Sequence, residues 1–394
     1  MNDRQIFLSN LAQTTGFPLM IAIDKAEGIY LTGTDGKQYM DLISGIGVSN
    51  VGHRHPKVIS AIKKQLDKYL HLMVYGEFVQ SPQTQLAKAL VKTLPTTLDN
   101  VYLVNSGSEA VEGAIKLAKR FTNRRELISC QNAYHGSTHG ALSVSGNELF
   151  KRAYRPLLPG IKHIQFGNFD HLTNITTETA AVIMETVQGE AGIRVATPTY
   201  WQELRKRCNE TGSLLILDEI QSGFGRTGKF WAFEHYGIRP DILVCAKGMG
   251  GGMPIGAFIA GKEVMDVLKE NPLLGHITTF GGHPVSAVAS LATINILLEE
   301  GLINHVDKKA RLFRKLLVHP CIMAIRNKGL MMAVEFESFE VLKPIIDTCI
   351  RLGVISDWFL FCDNSMRIAP PLTITEEEIG KACSVILQAI HKNQ

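Results

Sequence analysis

Six short, strand-like runs, apolar at their centres, alternate with segments of helical pattern through the middle of the chain: residues 101–104, 126–129, 180–184, 213–217, 242–245 and 257–259. A run without polar alternation belongs to a strand covered on both faces, the situation produced when helices flank a parallel sheet. The economical reading is an α/β chain with a mostly parallel, doubly wound sheet. The pattern then changes. Residues 284–300 predict a long helix stopped by Gly301 in a left-handed position. Residues 329–337, 353–361 and 366–368 read as a small sheet, and 376–391 as a final amphipathic helix. The chain of 394 residues is expected to form a large domain over 46–290 and a smaller α+β domain from 1–45 and 291–394.

Bulk properties exclude several classes. The net charge of +4 is scattered without a basic block, so neither nucleic acid nor an anionic membrane is expected as a partner. The first apolar stretch, residues 17–23, contains Pro18 and runs into Asp24 and Lys25, too short for a signal peptide or membrane helix. Seven cysteines without a CxxC pair read as reduced core thiols. The expectation is a soluble, cytoplasmic chain. His53-Arg54-His55 has no Cys or His partners at ligand spacing, so no metal site is expected.

Three segments carry chemistry. Asn105-Ser106-Gly107-Ser108-Glu109 follows a strand and opens a helix over 110–121. Ser106 and Glu109 form an S-x-x-E capping box, and the same small-residue turn also suits a phosphate, because helix starts present free N–H groups and a positive dipole end. Asp218 ends a run of four aliphatic residues, at the carboxyl end of a strand where open α/β sheets bind ligands. A buried carboxylate stays ionised only beside a cation. A metal, a helix cap, an arginine partner and a protonated ring nitrogen each satisfy that condition. Lys247 also follows an apolar strand, beside the glycine run 250–252, a setting that favours a neutral amine able to form a Schiff base. GxxxxGK[ST] and a strand-led GxGxxG are both absent there. A phosphate turn, a Schiff-base lysine and a carboxylate for a pyridinium nitrogen are together what pyridoxal 5′-phosphate requires.

At these residues the sequence resembles the class III, ornithine-type aminotransferases of pyridoxal phosphate fold type I. The resemblance runs over nearly the whole chain: Gly52-His53 with His55-Pro56, Asn105 to Ala110, Tyr134-His135-Gly136, Glu185 with Gln188-Gly189-Glu190, Asp218 to Gly228, Ala246-Lys247-Gly248, Thr279-Phe280-Gly281-Gly282 and Arg367 to Leu372. It implies that Lys247 is the Schiff-base lysine and proton carrier and that Asp218 is the pyridinium partner. Gln221 would bond the phenolic oxygen, Tyr134 stack on the ring, and Ser106, Gly107 and Ser108 cradle the phosphate. His135 and Glu185 complete the cofactor site, and Thr279 reaches the phosphate of a neighbouring subunit. A homodimer with shared active sites is therefore expected.

For the substrate end the resemblance implies that Arg367 holds an α-carboxylate and that Glu190 neutralises it when an ω-amino substrate is bound. The expected reaction moves an amino group from an ω-amino or diamine-type amino acid to 2-oxoglutarate, a 2-oxo acid acceptor, in a ping-pong cycle. A racemase, epimerase or aminomutase on the same scaffold, or an inactive cofactor-binding regulatory dimer, are the alternatives. Two positions depart from the family. Ser137 stands where many acetylornithine and ornithine enzymes have arginine, with Arg194 a stand-in by sequence proximity, and Thr186 stands where proline is usual.

Overall fold

A computed structural model describes residues 2–393. Its central sheet has seven strands in the spatial order Asn100–Val104, Gly256–Ala260, Ile242–Cys245, Leu214–Asp218, Thr179–Glu185, Glu126–Cys130, Ile161–Ile164. From Ile242–Cys245 to Ile161–Ile164 the neighbours are parallel, as the apolar runs require. Every residue of the strands Thr179–Glu185, Leu214–Asp218 and Ile242–Cys245 is buried.

Two features of this sheet differ from the sequence reading. Gly256–Ala260 runs antiparallel to both its neighbours. The loop from Cys245 to Gly256 is shorter than the dozen or so residues a parallel crossover needs, so the chain turns back as a hairpin. The edge strand Ile161–Ile164 carries Lys162 and His163 and is half-buried, so it leaves no apolar run to detect.

The segment 353–361 does not form one strand. Val354–Ile355 pairs in parallel with Gln38–Asp41, joining a second sheet that contains Ile23–Glu27 and Tyr30–Gly33. Trp358–Phe359 joins a third, antiparallel sheet with Cys362–Ile368, Met331–Glu335 and Ala324–Lys328. The break falls at Ser356 and Asp357, whose polar groups turn toward Arg367: Ser356 Oγ donates to the Arg367 carbonyl at 2.7 Å, and the Arg367 N–H donates to the Asp357 carbonyl at 2.9 Å.

The long helix Pro284–Glu299 ends before Gly301, whose φ of +67° is the expected left-handed position. It packs against Pro56–Leu66 and Ser81–Val91 and is buried around most of its circumference, so it is a core element. Among the described residues no single helix is long and apolar enough to cross a membrane. Arg226 is wholly buried where three stretches of chain meet, donating to Leu330 O, Pro370 O and Asn50 Oδ1.

Candidate active site

Strand register brings the chemistry together. Glu185 pairs with Asp218, and Asp218 with Val244, so three parallel strands end level with one another and Lys247 follows three residues beyond Val244. The helix Gly107–Thr122 starts opposite them. Between these ends lies a cavity of about 450 Å³ walled by Ser106, Gly107, Ser108, Tyr134, His135, Glu185, Asp218, Gln221 and Lys247.

Asp218 is buried, and the group bonded to it is an imidazole: His135 Nδ1 lies 2.7 Å from Asp218 Oδ2, while Asp218 Oδ1 accepts the Ile220 N–H at 3.0 Å. Ser129 Oγ sits 3.3 Å from the other ring nitrogen of His135. The Lys247 amine has no hydrogen-bond partner among the described residues, and burial holds its pKa below the ordinary lysine value. Its backbone φ of +46° is a left-handed conformation that costs energy for a residue with a Cβ. The tight turn around it, closed by the Gly250 N–H to the Lys247 carbonyl at 2.9 Å, fixes where the amine points.

At the helix start, Ser106 Oγ accepts the Glu109 N–H at 3.2 Å, but the reciprocal half of the capping box is shifted. Glu109 reaches back to Asn105 instead, accepting its backbone N–H at 2.7 Å and its side-chain amide at 2.9 Å. The first-turn N–H groups of Gly107 and Ser108 have no intrahelical acceptor, and both residues wall the cavity. Backbone approach is close here. A Cβ on Gly107 would meet Ile220 Cδ1 at 2.8 Å, and one on Gly136, at φ +128°, would collide with Ser108 Oγ.

Glu185 bridges two backbone N–H groups, Tyr134 at 3.0 Å and Gly189 at 2.8 Å, and burial raises its pKa to about 7. It fixes the segment that carries Tyr134 against the one that carries Glu190. Thr279 lies exposed and does not wall the cavity; the contact to Asn105 Nδ2, at 3.1 Å, is made by Thr278.

Glu190 and Arg367 form a bidentate pair, with both N–H···O contacts at 2.9 Å. Gln221 Nε2 donates to the same carboxylate at 3.0 Å and the Leu360 N–H at 3.1 Å. Burial alone would raise the Glu190 pKa; the charge and hydrogen bonds of Arg367 outweigh it and hold the value at about 2. The pair lies behind Gln221, which borders both the main cavity and a space of about 10 Å³ against Arg367.

The class III aminotransferase family model matches residues 12–390. The chain belongs to the class III aminotransferases. Solved relatives agree along the full length. It is similar to an ornithine aminotransferase from Toxoplasma gondii ME49 (28% identity, covering 100% of this chain and 96% of that one, TM-score 0.92). It is also similar to a transaminase from the marine bacterium Virgibacillus (27%, 99% and 98%, TM-score 0.92) and to a pyridoxal phosphate-bound amine transaminase from an uncultivated Pseudomonas species (27%, 98% and 100%, TM-score 0.90). The aminotransferase thus has the fold type I architecture, and its cofactor is pyridoxal phosphate.

The cavity fits that cofactor. The helix start offers donors to a phosphate, the glycine-lined wall allows close approach, and the buried Ser222 Oγ in the same wall has no hydrogen-bond partner among the described residues. An unbonded amine and a buried carboxylate occupy the remaining wall.

The departures from the family also find their places. Ser137 is exposed, its hydroxyl 3.2 Å from Tyr134 Oη. Arg194 does not replace the missing arginine. The bridge between Gln188 and Arg194 turns the chain so that Arg194 opens onto a separate surface cavity with Arg314 and Arg326, its Nε bonded to the Ala191 carbonyl at 3.1 Å. Thr186 replaces a proline with a backbone donor, its N–H 3.4 Å from the Asp218 carbonyl, and its hydroxyl donates to buried Glu219 at 3.0 Å. Glu219 also accepts the N–H groups of Ala232 and Phe233, each at 2.6 Å, so this second acid of the Asp-Glu pair anchors a loop. Asp357 went unsuspected in the sequence, and it bonds Arg367 Nε at 2.8 Å.

Proposed function

We propose that this aminotransferase carries an amino group from an ω-amino acid or a diamine-type amino acid, such as acetylornithine, ornithine or 4-aminobutyrate, to 2-oxoglutarate in two half-reactions. The observation that carries this reading is the bidentate Glu190–Arg367 pair behind Gln221. While Glu190 neutralises Arg367, the site suits a donor whose reacting amine is remote from its α-carboxylate. When Glu190 turns aside, the guanidinium fork is free for the carboxylate of an oxo acid, a geometry arginine holds in two parallel bonds.

Bound pyridoxal phosphate supplies an electron sink that lets a C–H bond beside the substrate amine ionise. Lys247 takes the proton from that carbon at Nζ and returns it. Its depressed pKa suits an amine that must accept a proton near neutral pH. Asp218 would hold the proton on the ring nitrogen, with His135 fixing its carboxylate. Ser106, Gly107 and Ser108 would hold the phosphate, and Tyr134 and Gln221, in the same cavity wall, would serve the ring and its phenolic oxygen. The proposal extends to a large domain over 46–290, a small domain from both chain ends, and a homodimer in which Thr279 completes the partner's phosphate site.

Mixing the loaded enzyme with 2-oxoglutarate and a panel of acetylornithine, ornithine, lysine, 4-aminobutyrate and β-alanine, and following glutamate formation, tests the reading. Glutamate appears with at least one donor, and initial rates give parallel double-reciprocal lines. Turnover with pyruvate but not with 2-oxoglutarate would overturn the choice of acceptor while leaving Arg367 an α-carboxylate to hold, and conversion of a donor without acceptor consumption would point to racemase or mutase chemistry.

A further inference from the structure

One short turn grips Arg367 from several sides. Ser356 Oγ donates to its carbonyl, the Asp357 carbonyl accepts its N–H, Asp357 Oδ1 accepts Nε–H at 2.8 Å, the Trp358 carbonyl accepts from Nη2 at 3.3 Å, and the guanidinium carbon lies 4.5 Å from the centre of the Phe359 ring. Glu190 uses the opposite edge, Nη1 and Nη2. Displacing Glu190 therefore empties that edge and leaves the Nε contact intact. A guanidinium is a rigid planar fork, so a contact at Nε together with the ring beneath fixes both the rotation and the tilt of the edge offered to a ligand.

We propose that Asp357 is a positioning residue that keeps the Arg367 fork aimed while Glu190 is displaced, and so sets the affinity for the incoming oxo acid. This rests on the reading of Glu190 and the acceptor carboxylate as alternating partners of Arg367. The same carboxylate also adds negative charge near the acceptor. An orienting role and a charge-damping role predict opposite signs, because truncating Asp357 weakens carboxylate binding in the first case and strengthens it in the second.

The test uses the holoenzyme with glutarate, which has the two carboxylates of 2-oxoglutarate and no oxo group to react. Its dissociation constant is measured by calorimetry beside the KM for 2-oxoglutarate. Asp357→Ala raises both by about tenfold with kcat within about threefold of wild type, and Asp357→Asn, whose amide oxygen still accepts from Nε–H, restores most of the loss. Asp357→Ser, too short to reach Nε, serves as a second truncation and behaves like Asp357→Ala. Unchanged or tighter glutarate binding in the truncations overturns the proposal. Arg367→Ala is run in parallel. If it too leaves glutarate binding unchanged, the alternating-partner reading itself fails; if it abolishes binding while Asp357→Ala does not, the role of Asp357 alone fails.

Discussion

His135 Nδ1 and Asp218 Oδ2 stand 2.7 Å apart in a buried contact, with Ser129 behind the imidazole. The carboxylate is thereby aimed into the cavity before any ligand arrives. Asp218→Asn keeps the shape and removes the charge, so its kcat falls by on the order of 10² to 10³ while the thermal midpoint changes little. His135→Asn loses about tenfold, because a shorter amide can still donate to the carboxylate. Single-turnover rates with a donor that the wild-type enzyme accepts, measured beside thermal melts, check both.

Glu190 links the site to pH. Its folded pKa of about 2 lies below the ordinary value of 4.5, so it contributes stability that is present above pH 4.5 and lost as pH falls toward 2. Glu190→Gln lacks that contribution. Between pH 6 and pH 3.5 the stability gap between wild type and variant therefore narrows by about 1 kcal/mol, read from urea midpoints. A gap that widens on acidification would contradict the ion-pair account.

Burial lowers the Lys247 pKa, so the neutral amine becomes available at lower pH than in a free lysine. The rate at which the apoprotein takes up pyridoxal phosphate is expected to rise with pH and level off below the ordinary lysine value of 10.5. Lys247→Met removes an amine that has no hydrogen-bond partner among the described residues. Turnover then falls by about 10² to 10⁴, while the apoprotein melts no lower than wild type.

Arg226 is a buried cation with three oxygen acceptors from distant parts of the chain, and burial lowers its pKa to about 9. Arg226→Ala leaves those acceptors unpaired around a new void and costs about 3 kcal/mol or more in urea unfolding. Arg226→Lys keeps the charge without the planar fork and recovers part of the loss.

That Lys247 and Asp218 wall the cavity was legible because each directly follows an unbroken apolar run, at the strand ends where open α/β sheets bind ligands. The parallel core was legible for the same reason. Asp357 was not, since its role comes from a turn between two short strands assigned to different sheets, and 353–361, with six apolar residues around one Ser-Asp pair, reads as a single strand. Glu109 has the spacing of a capping-box partner, yet its carboxylate takes two donors on Asn105, a choice made by three-dimensional reach. Tyr134, Gln221, Glu190 and Arg367 came from family resemblance, because no local spacing marks them out. Arg194 shows the limit of proximity in sequence: four residues from Glu190, it faces a different cavity.

The parallel pairing of Gln38–Asp41 with Val354–Ile355 sets a timetable for the newborn chain. Gln38–Asp41 waits for a partner made about 300 residues later, which at roughly 5–20 residues per second is a quarter of a minute to a minute of synthesis. Arg226 waits similarly for Leu330 and Pro370. Until Val354–Ile355 has been made, the second sheet keeps an open edge at Gln38–Asp41. An amino-terminal piece released early would carry the lysine and its cavity wall without the turn that grips Arg367.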